Sequence, residues 1–396
     1  MESLTMLLIM GHFIQLGVSV IPVSTIYSPD GDLIDCIYRT DQRAFDHPLL
    51  RNHIIQEYPT NMPQIEKGVQ ENWQIWHDTG EKCPAGTIPM RRELNPVSHQ
   101  KQHVHVPKEY EVTNRATSGH KYAIAYMINR TNVYGTRATF NVWTPKVESA
   151  YDFSLAQIWL ASGSYETADL NTVEAGWQVS RSRYNDSQAR LFTYWTADGY
   201  NKTGCYGLDL PGFVQTSSTI AIGAAIGRTS TYGGTQFDMT LQIWKDLFSG
   251  HWWLALGPNL VPIGYWPAVI FTTLSDYATA VEWGGEVLYR NLSSVNTVAQ
   301  MGSGEYADKG YGKAAYFCNL KVAENNHTLL PVQDFGVQAD YPEYYTVKKS
   351  SNRNCGNHFY FGGPGPQRSE AVRGTTVWFL FFILFECVLF LKLRNS

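Results

Sequence analysis

Two glutamates stand out in a chain that offers little other material for catalysis. Glu174 lies at the centre of NTVEAGWQVS, residues 171–180, and Glu286 closes EWGGE, residues 282–286. In the first segment Val173, Ala175, Trp177 and Val179 share one face of a period-two strand, and Glu174, Gly176 and Gln178 share the other. In the second, the Gly-Gly pair before Glu286 permits a bulge or the close approach of another backbone. Carboxylates that share a cleft form an acid–base device, because like charges push one pKa up and one group keeps its proton. The ionised partner takes a proton from water; the protonated one polarises or protonates the substrate. An ordinary half-buried strand shows the same alternation, and spacing alone does not bring the two residues together. Other chemistries lack their signatures: there is no H-E-x-x-H, no paired C-x-x-C, no G-x-S-x-G elbow and no P-loop. The eleven histidines fall mostly outside the strand-rich part of the chain, so a Ser-His or Cys-His system is poorly supplied. Neither a metal nor a cofactor is expected.

The segments that must position these glutamates are short and β-like. From Lys121 to about Gly365 the chain repeats alternating runs such as KYAIAYMI, TRATFNVWTP, SLAQIWLAS, RLFTYWTA, FDMTLQIWKD and AAYFCNLKV. Turn residues punctuate them, LFSG between TLQIWKD and HWWLALG signals a hairpin, and no run has helical periodicity. Many short strands without crossover helices imply an all-β, antiparallel β-sandwich. The 33 glycines, the 14% aromatic content and the 17% of charged residues suit that class. With a net charge of −4 and no basic run with interleaved aromatics, no nucleic acid is expected as a partner. Gln157-Ile158-Trp159 recurs as Gln242-Ile243-Trp244, which reads either as duplicated halves or as the shared chemistry of aromatic strands.

Ahead of the sandwich the chain is polar and irregular. The expected organisation is a signal peptide at 1–25, a smaller α+β or irregular domain at 26–108, a linker at 109–120, the sandwich at 121–366 and an apolar tail at 367–396. The apolar run LTMLLIMGHFIQLGVSVIPVS resembles a secretory signal, although no Lys or Arg precedes it. Sequons at Asn129, Asn185, Asn201, Asn291 and Asn326 agree with secretion and glycosylation. In an oxidising compartment Cys36 with Cys83 and Cys318 with Cys355 form bridges, each within one proposed domain. Cys205 is left as a free, buried thiol. The polar stretch HQKQHVHVPKEYEVTNRATSGH reads as an exposed linker, its His99, His103 and His105 solvated rather than metal-binding. The tail segment VWFLFFILFECVLFL is short of the ~20 residues of a spanning helix and carries Glu386. A marginal membrane anchor and a non-functional tail are both open readings of it.

FDHPLL, CPAGTIPMRR, QIWLASG, EAGWQV, FTYWTADGY with TGCYGLDLPGFVQ, EWGGEV and FYFGGPG appear in consistent order from about Gly31 to Pro366. Together they resemble the neprosin family of plant proteins, in which an activation domain precedes a neprosin peptidase domain. The resemblance implies a secreted zymogen whose activation domain inhibits it, and a metal-free glutamic endopeptidase that cleaves peptides after proline. It implies that the glutamate of EAGWQ, Glu174, and that of WGGE, Glu286, are the catalytic pair. Glu282 is the rival for the second place because it shares strand parity with Glu286. Gln157 and Gln178 are candidates to bind substrate and donate hydrogen bonds to an oxyanion, or else are polar strand faces; Trp159 and Tyr194 complete the expected substrate-binding set. Leu210 stands where the family more often has a second cysteine after TGCY, and Cys318 and Cys355 stand where arginine and tryptophan are more usual. The alternative function is a catalytically silent, wall- or carbohydrate-binding sandwich with Trp and Tyr stacked on sugars.

Overall fold

The computed structural model describes residues 20–61, 73–93, 119–128, 130, 132–289, 298–325 and 327–366. Residues 1–19 of the proposed signal, the His99–His105 linker, Asn129, Asn291, Asn326 and the apolar tail therefore lie outside the described residues, as does the side chain of Cys205. The N-terminal unit is a three-stranded antiparallel sheet of β1 (Ser24–Tyr27), β2 (Leu33–Tyr38) and β3 (Thr87–Arg91). Its described helical turns are 3-10 rather than α, and prolines and polar residues punctuate them. Cys36 on β2 is bonded to Cys83, with Cα atoms 5.4 Å apart. This bridge ties the sheet to the loop that carries Trp76, and both cysteines pack with Ile26, Ile34 and Trp76 in a small core.

The rest of the described chain is a two-sheet antiparallel sandwich. Its strands are β4 (His120–Met127), β5 (Val133–Asn141), β6 (Phe153–Ser162), β7 (Asn171–Ser180), β8 (Arg190–Thr196), β9 (Cys205–Tyr206), β10 (Val214–Gln215) and β11 (Asp238–Lys245). They continue as β12 (Trp252–Leu256), β13 (Val261–Trp266), β14 (Ala280–Leu288), β15 (Ala315–Glu324), β16 (Leu329–Pro331), β17 (Gly336–Ala339), β18 (Thr346–Asn352) and β19 (Gly356–Gly362). One sheet runs β17-β4-β14-β6-β7-β8-β9; the other runs β10-β13-β12-β11-β5-β15-β19-β18, with β16 on β15. The inner faces meet in a core that includes Ile158, Val173, Ala175, Trp177 and Trp283 from the first sheet and Phe140, Ile243, Phe317 and Phe361 from the second. Cys318 and Cys355 are bonded and hold β15 to the turn before β19.

The period-two reading of NTVEAGWQVS holds. Trp177 is fully buried between the sheets, and its indole N–H is satisfied by the Asn141 carbonyl at 3.1 Å. That hydrogen bond joins the sheets across the apolar layer, where an unpaired indole would cost a few kcal/mol. The two Gln-Ile-Trp copies lie on β6 and β11, one in each sheet, and both put their isoleucine into the common core.

The N-terminal unit docks on the sandwich through polar groups that reach its backbone. Gln42 both accepts from the Gln215 N–H and donates to the Gln215 carbonyl, and Gln74 does the same with Ala221. Asp32 pairs with Arg91 of its own unit and with the buried Arg190 of β8, which also pairs with Asp186. The remaining contacts are rich in histidine. His53 Nε2 lies 2.7 Å from the Tyr265 hydroxyl, and His251 stacks on Tyr265. The His53 and His251 rings are 5.3 Å apart, His77 Nε2 donates to the Thr219 carbonyl, and His47 lies against Trp195.

These imidazoles are built in as neutral groups. His47, His77 and His251 each accept a backbone N–H at Nδ1, from Leu49, Gln74 and Ala268, an acceptor role that the imidazolium cannot play. Burial lowers the pKa of all four, and at His251, where a proton on the neighbouring His53 would repel a second one and the Asp246 carboxylate opposes, the value falls to about 4. Lys245 adds to the depression at His251, and at His77 the hydrogen bond to the Thr219 carbonyl and then the Asp78 charge oppose it. Undocking removes the part of the burial that the other unit supplies and so moves each imidazole back towards the ordinary value of about 6.5, while the Nδ1 hydrogen bonds, each within one unit, remain. The docked state thus binds fewer protons than the released one, so docking is strongest above pH ~6.5 and weakens as the pH falls towards 4. Hydrogen exchange of residues 24–61 and 73–91 should accelerate over that range. His53→Gln with His251→Gln should move the midpoint down by about half a unit or more, whereas an unchanged midpoint would place the acid response elsewhere.

Candidate active site

The face of β6, β7, β8 and β14 turned away from the core carries the polar set. Register fixes it, because directly paired residues of antiparallel strands lie on one face. One row across the sheet reads Tyr126, Glu282, Trp159, Glu174, Tyr194, Tyr206; the next reads Ile124, Gly284, Gln157, Gly176, Phe192. The third reads Tyr122, Glu286, Leu155, Gln178, Arg190. Glu174, Glu286, Glu282, Gln157, Trp159, Gln178 and Tyr194 therefore share one surface. Leu155, Phe153, Trp159, Phe192 and Leu288 make that surface apolar around them.

The middle row is bare on either side of Gln157. A Cβ at Gly176 would lie 2.0 Å from the Ala156 carbonyl oxygen, and one at Gly284 (φ +147°) would lie 2.4 Å from that of Ala123. Close strand approach excludes any larger residue at both positions. The result is a floor without side chains between the row of Glu174 and that of Glu286, with Gln157 standing alone on it.

Glu174 is 5% exposed and accepts three hydrogen bonds. Thr172 Oγ1 and the Tyr200 hydroxyl donate to Oε1 at 2.8 and 2.7 Å, and Gln157 Nε2 donates to Oε2 at 2.9 Å. Burial raises its pKa to about 7; the three donors oppose the rise and the Glu286 charge adds to it. Desolvation wins because every donor is neutral. Glu286, equally buried, is in contact with His120 Nδ1 on β4, and the His120 ring stacks on Tyr122 with the Phe153 edge against it. Among the described residues no hydrogen bond joins the two glutamates, so they face each other across the Gln157 row rather than sharing a proton directly. Glu282 is set apart from Glu174 by Trp159, which occupies the register position between them.

Gln178 Nε2 donates to the Tyr206 hydroxyl at 3.3 Å, and Tyr194 meets Tyr206 edge-on. The Oε1 atoms of Gln157 and Gln178 are buried without a partner among the described residues, two acceptors directed at the same face. Of three further contacts, one is legible in the sequence and two are not. Thr172 is legible by parity, two residues before Glu174. Tyr200 lies in the β8–β9 loop, which no periodicity connects to Glu174. His120 stands at the edge of the polar linker but is the first residue of a sheet strand. Of the described sequons, Asn185 and Asn201 are exposed.

Comparison with known proteins adds the lineage. Residues 150–364 match the model for Neprosin, and residues 25–126 match that for the neprosin activation peptide. The chain belongs to the neprosin family. Its order, activation peptide and then neprosin domain, is that of a peptidase made with its own activation peptide. The activation-peptide match runs into β4, a strand integral to the sandwich sheet. Among solved structures, scytalido-glutamic peptidase with a peptide-based transition-state analogue aligns with a TM-score of 0.33 at 12% identity, covering 62% of this chain and 98% of that one. The same peptidase with a transition-state analogue inhibitor gives 0.34 at 10%, with the same coverage. The β-porphyranase BpGH16B from the human gut bacterium Bacteroides plebeius gives 0.22 at 8%, covering 42% and 56%.

A carboxyl raised from 4.5 to about 7 has a signature in stability. The folded chain holds the proton that the unfolded chain releases, so this contribution is complete below pH ~4.5 and is lost as the pH rises through 7. Glu174→Gln should leave Tm little changed at pH 4 and raise it relative to the parent at pH 8, by up to about 3 kcal/mol of stability. A Tm difference independent of pH would contradict the raised value.

Proposed function

We propose that this chain is a secreted glutamic endopeptidase, made as a zymogen, in which Glu174 is the protonated acid and Glu286 the base. The observation that carries the reading is a buried carboxyl, held protonated to about pH 7, on the same sheet face as a second carboxyl across the glycine-flanked Gln157 row. Glu286 takes a proton from water as the water oxygen attacks the peptide carbonyl carbon. The developing oxyanion is met by the Glu174 proton and by the Gln157 amide, neutral donors in a desolvated setting. Glu286 then passes its proton to the leaving nitrogen as the C–N bond breaks, giving a carboxylic acid and an amine. Trp159, Tyr194 and Tyr206 supply aromatic walls for the substrate, and flat rings of this kind suit the pyrrolidine of proline.

The raised Glu174 pKa places the upper limit of activity near 7, higher than a directly paired carboxylate dyad would give. The activation domain inhibits until acid loosens it, and a cut between residues 94 and 118 would leave His120 and β4 in the mature enzyme.

On a proline-containing peptide at acidic pH, Glu174→Gln and Glu286→Gln should each reduce kcat by about 100-fold or more. Glu282→Gln should stay within about tenfold of the parent, and chelators or serine- and cysteine-directed reagents should have no effect. Folded Glu174→Gln or Glu286→Gln protein with activity within tenfold of the parent would sink the assignment, and loss confined to Glu282→Gln would move the base to that residue.

A further inference from the structure

We propose that Tyr200 and Thr172 are positioning residues that fix the proton of Glu174 on Oε2, the oxygen turned towards Gln157. The inference rests on the reading of Glu174 as the acid and goes beyond it, because it specifies which oxygen delivers the proton and what determines that choice.

Hydrogen-bond accounting carries the argument. A carboxyl group offers about four lone-pair sites, and protonation takes one of them. Both sites on Oε1 are filled, by the Tyr200 hydroxyl at 2.7 Å and the Thr172 hydroxyl at 2.8 Å. Each hydroxyl has a single proton. Among the described residues, the only other hydrogen-bond contact of either is the longer one between them, at 3.3 Å. Oε2 receives one donor, Gln157 Nε2, and keeps a site free for a proton, whereas a proton on Oε1 would have to be accepted by one of the hydroxyls and leave that hydroxyl's own proton only the longer 3.3 Å contact. Reversing the Gln157 amide does not alter the result. Its Oε1, now without a partner, would then face Glu174 Oε2 and could only accept a proton from it. The register completes the geometry: Gln157 lies in the row between those of Glu174 and Glu286, so Oε2 is on the side of the second carboxyl.

The β8–β9 loop is built to hold the Tyr200 hydroxyl in place. Tyr200 has φ +63°, a left-handed conformation that is uncommon for a bulky side chain. Its N–H donates to Thr196 Oγ1 at 2.9 Å. The Asp198 carboxylate gathers the N–H groups of Asn201, Lys202 and Thr203 and the Thr203 hydroxyl. The Tyr165 and Tyr194 rings flank the phenol at 6.1 and 5.8 Å. Burial holds the phenol well above its ordinary pKa, so it remains a donor throughout the working range.

Both hydroxyls favour the charged form of Glu174 and restrain the rise that burial causes. Removing either should therefore raise the Glu174 pKa further while freeing the proton to move to Oε1. In the full chain, Tyr200→Phe and Thr172→Val should each move the alkaline limb of kcat up by about half to one pH unit. Plateau kcat should fall about tenfold, the effect of roughly one misdirected hydrogen bond, with KM within about twofold. Thr172→Ser, which keeps the hydroxyl, should return the limb to its parental position. A limb that stays or moves down in both folded variants, or a loss confined to KM, would overturn the proposal. Neutron diffraction of the parent chain below pH 6 is the independent check. A deuteron on Oε2, with both hydroxyl deuterons directed at Oε1, is the expected result, and a deuteron on Oε1 would overturn the proposal. Because the deuteron is located without any turnover, this check stands even if Glu174→Gln proved active and the glutamate-pair reading failed.

Discussion

The site depends on the desolvation of one carboxyl group. Glu174 sits on a sheet face made apolar by Phe153, Leu155, Trp159, Phe192 and Leu288, and its hydrogen-bond donors are a threonine, a tyrosine and a glutamine. A single Arg or Lys in their place would have held the group ionised. Three neutral donors restrain the rise without cancelling it, and the outcome near 7 is where a general acid is most useful. Much else in the sheet follows from keeping that environment. The glycines at 176 and 284 keep the floor open, and Trp177 on the reverse face anchors β7 to the second sheet through Asn141.

The same trade between burial and charge recurs where the activation peptide meets the sandwich, with the sign reversed. Glu174 gains a proton it would otherwise release; His47, His53, His77 and His251 release protons they would otherwise hold. Both sets take up protons as the pH falls, so in the proposed account the docking of the activation peptide weakens as Glu174 becomes protonated. The pairing of Asp32 with Arg190 lies in the Gln178 row, so the activation peptide is anchored at the rim of the face that carries the glutamates.

Much of this is legible in the sequence, for a physical reason. A strand imposes a period of two, so order along the chain is enough to divide NTVEAGWQVS between core and outer face. Parity puts Glu174 and Gln178 on one face and Trp177 on the other, and the expected cysteine pairs, one within each domain, are those the structure bonds, although spacing alone does not fix connectivity. What period two cannot provide is register between strands or the path of loops. Nothing local says that Trp159 separates Glu282 from Glu174, or that Gln157 stands between the rows of Glu174 and Glu286. Tyr200 is hidden because a loop tyrosine reaches Glu174 only after β8 has paired with β7. His120 reads as the end of a polar linker because a strand's first residue looks the same from either side. Clustering makes His99, His103 and His105 conspicuous along the chain, whereas the docking that brings His53 onto His251 leaves no local trace.

The most direct test of this account is the titration of the Glu174 carboxyl itself. Infrared difference spectra of the parent chain and of Glu174→Gln, collected between pH 4 and 9, isolate the protonated carboxyl band of this one residue. The account predicts a band that is absent from the variant and disappears in the parent with a midpoint near 7. A midpoint at the ordinary glutamate value of about 4.5 would contradict it, since Glu174 would then be a carboxylate at every pH where the acid role requires the proton.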